Sequence, residues 1–106
     1  MGDYTVFVVS SAPADSGEGG VGAWDWFSDR APAEQRYRQW CQIEKETGNR
    51  STVRLVELAV AVDPARLRRE VDAELEVRTD EFEMTAPAIA QQVPDGATYR
   101  PVGATP

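Results

Sequence analysis

The first stretch whose residue types could do chemistry is a glycine-rich segment near the N-terminus. Gly17, Gly19 and Gly22 have the G-x-G-x-x-G spacing of a dinucleotide-binding loop. Such a loop binds a cofactor when it lies between a strand and a helix, because the helix N-terminus then faces the pyrophosphate. Here a strand-like segment, AWDWF at residues 23–27, follows the glycines. We therefore predict a conformationally permissive loop over residues 11–22 and no cofactor site.

The side chains most used in catalysis and metal binding are scarce. The chain has no histidine, which removes the most common general base and every Cys-His or Ser-His pair. Its single cysteine, Cys41, falls in the apolar row of a predicted helix, where a thiol acts as a small buried hydrophobe. Asp80, Glu81 and Glu83 are close in sequence but lack the spacing of a calcium loop. We predict no catalytic residue, no metal and no cofactor.

Aromatic residues cluster directly after the glycines. Trp24 and Trp26 share one side of a predicted strand, and Phe27 lies on the other side. We interpret the two tryptophans first as core, packed on Tyr37 or Trp40 of the following helix. A second interpretation is a protein interface, because tryptophan is enriched at interaction hot spots; a stacking site for a base or a sugar is a third. The candidate interaction residues are Trp24, Trp26, Phe27, Tyr37 and Trp40.

The net charge of −7 is distributed unevenly. Residues 30–54 have six basic and three acidic side chains, whereas residues 55–83 have nine acidic and four basic ones. An acidic chain is poorly suited to bind nucleic acid, since lysine and arginine must neutralise the phosphates. Its surface can instead occupy the nucleic-acid site of another protein. The candidate residues for such an acidic face are Glu70, Asp72, Glu74, Glu76, Asp80, Glu81 and Glu83.

The first half of the chain predicts two strands and a helix. In DYTVFVVSS, residues 3–11, both alternating sets of side chains are apolar, which is typical of an interior strand. Residues 23–27 form the second strand, and Ser28 or Asp29 can cap the helix that follows. That helix should end near Gly48. Its apolar row is Ala33, Tyr37, Trp40 and Cys41, extended by Glu44.

The second half predicts a third strand, a second helix and a tail. Residues 51–63 form a long strand with Val56, Leu58 and Val60 on one face. Asp63 and Pro64 suit the start of a helix that continues to about residue 76. Residues 75–84 can then be extended or form a hairpin. Residues 85–106 are rich in proline, glycine and alanine and predict an irregular tail.

These elements predict one small α+β domain over residues 1–84, followed by the tail at 85–106. The sheet has three to four strands in a β-β-α-β-α arrangement, with strand order 2-1-3 and the first helix packed on one face. The other face needs cover from the second helix, the tail or another copy of the chain. No apolar run approaches the roughly 18 residues of a membrane helix, and Asp3 stands where a secretory leader needs a base, so we expect a cytoplasmic protein that does not bind membranes.

Three hypotheses for function remain open. The first is a small non-enzymatic interaction or regulatory module that acts through a sheet face or an aromatic patch, self-associating or docking on a protein partner. The second is an acidic inhibitor that mimics nucleic acid, such as a phage-type counter-defence protein or a bacterial accessory protein. The third is a cofactor-free enzyme or small-ligand binder of the ferredoxin-like dimer type, with Tyr37 or a carboxylate at its pocket.

Overall fold

The computed structural model describes residues 3–13, 23–47, 51–95 and 98–102. A glycine loop was predicted over residues 11–22, but residues 11–13 belong to the first strand, because they continue its pairing with the third. Residues 14–22 and the predicted helix end at Gly48 lie outside the described residues. The described elements are, in chain order, β1 (Tyr4–Pro13), β2 (Ala23–Phe27), α1 (Arg30–Thr47), β3 (Ser51–Val60), α2 (Arg68–Val77), a π-helical turn (Glu81–Thr85), β4 (Ala88–Asp95) and β5 (Thr98–Val102).

The strands form one antiparallel sheet in the order β2-β1-β3-β4-β5. This confirms the α+β fold class and the predicted order 2-1-3. Strand β1 pairs with β2 on one side and with β3 along its whole length on the other. Its central valines Val6, Val8 and Val9 are fully buried, as the alternation of apolar residues on both faces predicts.

Helix α1 covers one face of the sheet. It begins at Arg30, directly after the predicted cap residues, and ends at Thr47. The predicted apolar row is confirmed at Ala33, Tyr37 and Cys41, and its extension by Glu44 is buried as well. These helix residues pack on Val9, Val53, Leu55 and Ala90 of three neighbouring strands.

Helix α2 and the π-helical turn cover the opposite face. Val71 and Leu75 of α2 and Phe82 of the turn are fully buried. They pack on a row of alternating sheet residues, Val6, Val8, Val56, Leu58 and Val60. The sequence left three candidates for the cover of this face: the second helix, the tail or another copy of the chain. The second helix covers it, together with the π-helical turn that follows. Among the residues that the structure describes, no helix is long and apolar enough to cross a membrane.

The second half of the chain differs from the sequence prediction in three places. Residues 63–66 form a separate turn, in which the N–H of Ala65 donates to Asp63 Oδ1 at 3.0 Å, so α2 begins later, at Arg68. Residues 79–85 are helical, neither extended nor a hairpin, because Phe82 has to reach the core beside Leu75. Residues 88–95 form β4 and pair with β3, whereas we predicted an irregular tail from residue 85.

Candidate interaction surface

The structure divides the aromatic candidates between the two faces of the sheet. Trp26 is only 4% exposed and lies in the core under α2, with the half-buried Trp24 packed beside it. Phe27 and Trp40 pack with Tyr37 in the core under α1. The five residues therefore form no single patch. The core interpretation is correct for Trp26, and Trp24 is half-buried beside it. Trp26 packs under α2 and Trp24 packs on the π-helical turn, and neither packs on α1, because alternate residues of β2 face opposite sides.

Polar contacts hold Trp26 against α2, and an aromatic contact holds Trp24 against the π-helical turn. The indole Nε1–H of Trp26 donates a hydrogen bond to the Asp72 carboxylate of α2. The guanidinium of Arg68 lies 4.4 Å from the centre of the Trp26 ring, a cation–π contact. The ring centres of Trp24 and Phe82 are 5.5 Å apart. These contacts fix the start of α2 on the edge strand β2.

The exposed edge of β2 is partly covered by its own side chains. The backbone N–H of Trp26 donates to Asp25 Oδ1 at 3.0 Å, and Arg36 Nη1 of α1 holds Asp25 Oδ2 at 2.8 Å. A carboxylate that occupies a backbone donor on an edge strand blocks the addition of another strand. Pairing of two copies through β2 is therefore disfavoured.

All seven acidic candidates lie on α2 or in the segment just after it, as the sequence grouping predicts. Three of them make internal contacts. Asp72 binds Trp26, while Glu74 and Glu81 accept hydrogen bonds from Arg78 at 3.1 Å and 2.8 Å. The other four make no ion pair with any residue that the structure describes: Glu70, Glu76, Asp80 and Glu83.

An open groove separates this acidic segment from the end of β3. Its volume is about 820 Å³. Arg78 bridges its two sides, because its Nη1 donates to the carbonyl oxygen of Ala59 at 2.9 Å. We call it the acidic groove and define it by its lining residues Glu57, Leu58, Ala59, Val77, Arg78, Asp80, Glu81, Thr85, Ala86 and Pro87.

The carboxyl groups near the acidic groove have opposite pKa shifts. The hydrogen bond from Arg78 lowers the pKa of Glu81. Burial raises the pKa of Glu83, and the nearby charge of Asp80 raises it further. Oε2 of Glu83 is buried and has no hydrogen-bond partner among the described residues. Glu81 is thus held in its charged form, whereas Glu83 holds its proton more tightly than a free side chain does.

Sequence reasoning missed two exposed apolar side chains beside these carboxylates. Val77 is 82% exposed and Met84 is 71% exposed. Both belong to the alternative hairpin of the sequence prediction, in which they would be paired. Val77 is instead the last residue of α2 and lines the same groove as Asp80 and Glu81. No local pattern identifies this surface, because its members come from β3, α2 and the segment after it.

Tyr37 lies beside a separate pocket of about 290 Å³ between α1, β3 and β4. Burial raises the pKa of its hydroxyl, and the neighbouring Cys41 contributes to the shift. Burial also raises the pKa of the Cys41 thiol. Neither group is set up to lose a proton near neutral pH, and the third hypothesis stays a prediction.

The described residues contain no group of three Cys, Asp or Glu side chains arranged to hold a metal ion. No family model matches the sequence, and no curated protein or solved structure is significantly similar to it. The function must therefore be argued from the surface itself.

Proposed function

We propose that this chain is a protein-interaction module that holds a basic segment of a protein partner in the acidic groove. The observation that carries the proposal is the combination of charge and exposed apolar surface at one place. Asp80 and Glu81 bring carboxylates to the groove, Glu57 lines it from β3, and Val77 lies beside them with most of its side chain exposed.

The chemistry of the groove favours a partner segment that has both lysine or arginine and an apolar side chain. The carboxylates attract cations over a distance of about 10 Å at moderate salt. Burial of Val77 would add an apolar contribution, at about 25 cal/mol for each Å² removed from water. A basic amphipathic segment meets both requirements, as in other helix-in-groove complexes.

Charge gives little support to a second copy of this chain as the partner. The basic segment of residues 30–54 uses three of its arginines internally. Arg30 pairs with Glu34 and Arg36 with Asp25, each at 2.8 Å, and Arg54 is buried. This segment of another copy would therefore offer the acidic groove fewer free cations than its sequence suggests. Self-association is an outcome that the experiment below must separate from binding of a basic partner.

The second candidate is that the basic partner surface is itself a nucleic-acid site, so that the chain acts as an acidic mimic. The carboxylates that make no ion pair with a described residue support it, since all four lie on α2 or in the segment just after it: Glu70, Glu76, Asp80 and Glu83. Both candidates need salt-sensitive binding. Only the mimic requires that a DNA or RNA duplex displace the chain from its partner.

The test uses the full chain and a fluorescent peptide of lysine and leucine residues at helical spacing. We expect its anisotropy to rise on titration and the affinity to fall as salt is added. A double variant, Asp80→Lys with Glu81→Lys, should weaken binding by about tenfold or more, because two attractive contacts become repulsive. The matched control is Glu34→Lys with Glu46→Lys, which makes the same charge change on α1 across the sheet.

Three outcomes would contradict the proposal. Equal weakening by both double variants would show that net charge and not the acidic groove attracts the peptide. Binding that is indifferent to salt would remove the electrostatic argument. A light-scattering mass that doubles with concentration, with loss of peptide binding, would assign the groove to self-association.

A further inference from the structure

A third pocket, on the face of the sheet that α1 covers, is lined in part by a buried carboxylate residue. Ser11, Ala23, Trp40, Ile43 and Glu44 line this pocket, which has a volume of about 260 Å³. Glu44 is only 7% exposed, although it is ionisable. Its Oε1 is shielded from solvent and has no hydrogen-bond partner among the described residues.

A buried carboxylate oxygen without a donor works against folding. Water would hydrogen-bond to it in the unfolded chain, and nothing described in the structure replaces those bonds. Glu44 also belongs to the inward row of α1, where the neighbouring members Tyr37 and Cys41 pack in the core. A residue that lowers stability at a position suited to an apolar side chain is typical of a binding site.

We propose that this pocket binds a protonated alkylamine, with its ammonium on the Glu44 carboxylate and its methylene groups against the indole of Trp40. The carboxylate supplies the opposite charge in a place where water screens it little. The face of an indole ring attracts cations. Ser11 offers a hydroxyl oxygen as a further acceptor, and Ala23 and Ile43 give apolar walls to the alkyl chain.

The size of the pocket fits a short ligand. A volume of about 260 Å³ is several times the roughly 30 Å³ that one water molecule occupies in the liquid. Half of the Ile43 side chain is exposed, so the pocket opens to solvent on that side.

The site is independent of the acidic groove. Helix α1 packs on Val9 and Leu55, whereas α2 packs on Val8 and Val56 of the opposite sheet face. Variants of one site therefore leave the other unchanged, and the failure of either proposal can be recognised separately.

The experiment titrates n-butylammonium into the full chain and follows the indole N–H signal of Trp40 by NMR. We expect a saturable shift that neutral n-pentanol does not produce. Glu44→Gln should weaken binding by about tenfold, the effect of losing one charge-assisted hydrogen bond. Glu46→Gln removes the same charge from an exposed position on the same helix and should leave the affinity unchanged.

A thermal melt without ligand gives a second, independent readout. Because Oε1 of Glu44 has no hydrogen-bond partner among the described residues, Glu44→Gln should raise the midpoint, whereas a carboxylate held by internal partners would lower it on removal. A lowered midpoint, no saturable shift, or an equal response to n-pentanol would each overturn the proposal.

A separate comparison of two ligands identifies the source of the amine. The ammonium could come from a free small amine or from a lysine side chain of a protein. Nα-acetyl-lysine methylamide carries the same ammonium on a peptide backbone. Tighter binding of this compound than of n-butylammonium identifies a lysine side chain as the ligand, and the reverse order identifies a free amine.

Discussion

The guanidinium of Arg54 donates a 2.8 Å hydrogen bond from Nη1 to the backbone carbonyl of Phe82. The same side chain, only 6% exposed, also donates to the carbonyl of Ala86 and, from Nε, to Gln91 Oε1 at 2.9 Å. One buried cation thus connects β3 with both ends of the π-helical turn and with β4. The free carbonyl oxygens at the C-terminal end of a helix carry partial negative charge, which favours a cation there.

We expect Arg54→Met to lower the free energy of unfolding by about 2–4 kcal/mol, because it leaves buried carbonyls without a donor. Urea unfolding followed by tryptophan emission measures this loss. Arg66→Met is the control, since Arg66 is exposed and should change stability by no more than about 0.5 kcal/mol. Equal effects of the two variants would contradict the role that we assign to Arg54.

Asp72→Ala should destabilise the chain by about 1–2 kcal/mol, since it leaves the buried Trp26 indole N–H unpaired. The emission of Trp26 should change in the folded state as well. Glu70→Ala removes a nearby exposed carboxylate from the same helix and should have little effect on either measurement. If both variants lose the same stability, the charge of α2 and not this hydrogen bond is responsible.

Glu83→Gln should stabilise the chain at neutral pH and have no effect in acid. The pKa of Glu83 is raised above its ordinary value of 4.5 by burial. The folded state therefore binds this proton more tightly than the unfolded state, and stability falls as pH rises through the interval between the two pKa values. Thermal midpoints of wild type and variant should differ at pH 7 and converge below pH 4.5. A difference that persists in acid would contradict this explanation.

Glu81→Gln should show the opposite sign. The hydrogen bond from Arg78 lowers the pKa of Glu81 below 4.5, so its contribution is present above that pH and is lost as the pH falls through the folded-state pKa. We expect the variant to melt below wild type at pH 7, by a small amount because the side chain is 41% exposed. Melts at several salt concentrations provide the check, since screening should shrink the difference.

Asp25→Thr should promote self-association. The change removes the carboxylate that occupies the Trp26 backbone N–H on edge strand β2, and threonine favours strand pairing. Sedimentation should show a higher association constant than wild type. Asp29→Thr lies just beyond the strand and serves as the control; an unchanged constant in Asp25→Thr would mean that other features protect this edge.

Where local pattern and tertiary packing agree, the sequence predicted the fold well. Both faces of β1 are apolar in sequence, and the strand lies inside the sheet between β2 and β3. The row from Ala33 to Glu44 has helical spacing, and α1 buries those positions. The position of β2 followed from the chain connection alone.

The region after Val60 was predicted less well because its local signals are weak or contradictory. Leu75, Val77, Phe82 and Met84 alternate in a way that fits a hairpin. The burial of Phe82 and its contact with Trp24 stabilise the helical form of residues 79–85. Local sequence reveals neither the burial nor the contact. The alanines and glutamines of β4 have little strand preference, so pairing with β3 decides their conformation.

The acidic candidates were grouped correctly because they are consecutive on one element. The acidic groove was not predictable in the same way, since Glu57 comes from β3 and lines the same groove as Asp80 only after the sheet and α2 have packed. Glu44 was assigned to the buried row from its spacing, but the missing hydrogen-bond partner is a property of the folded chain.

The long pairing of β1 with β3 has a consequence for how the chain folds. It joins partners that lie 38 positions apart at Pro13 and Ser51 and 56 positions apart at Tyr4 and Val60. Closing such loops costs chain entropy before any ladder bond forms, and sheets built on distant pairs fold in milliseconds to seconds. Before β1 pairs with β3, the valines of β3 lack their neighbours on β1 and are more exposed to solvent. Aggregation therefore competes with folding at the step in which β1 and β3 pair.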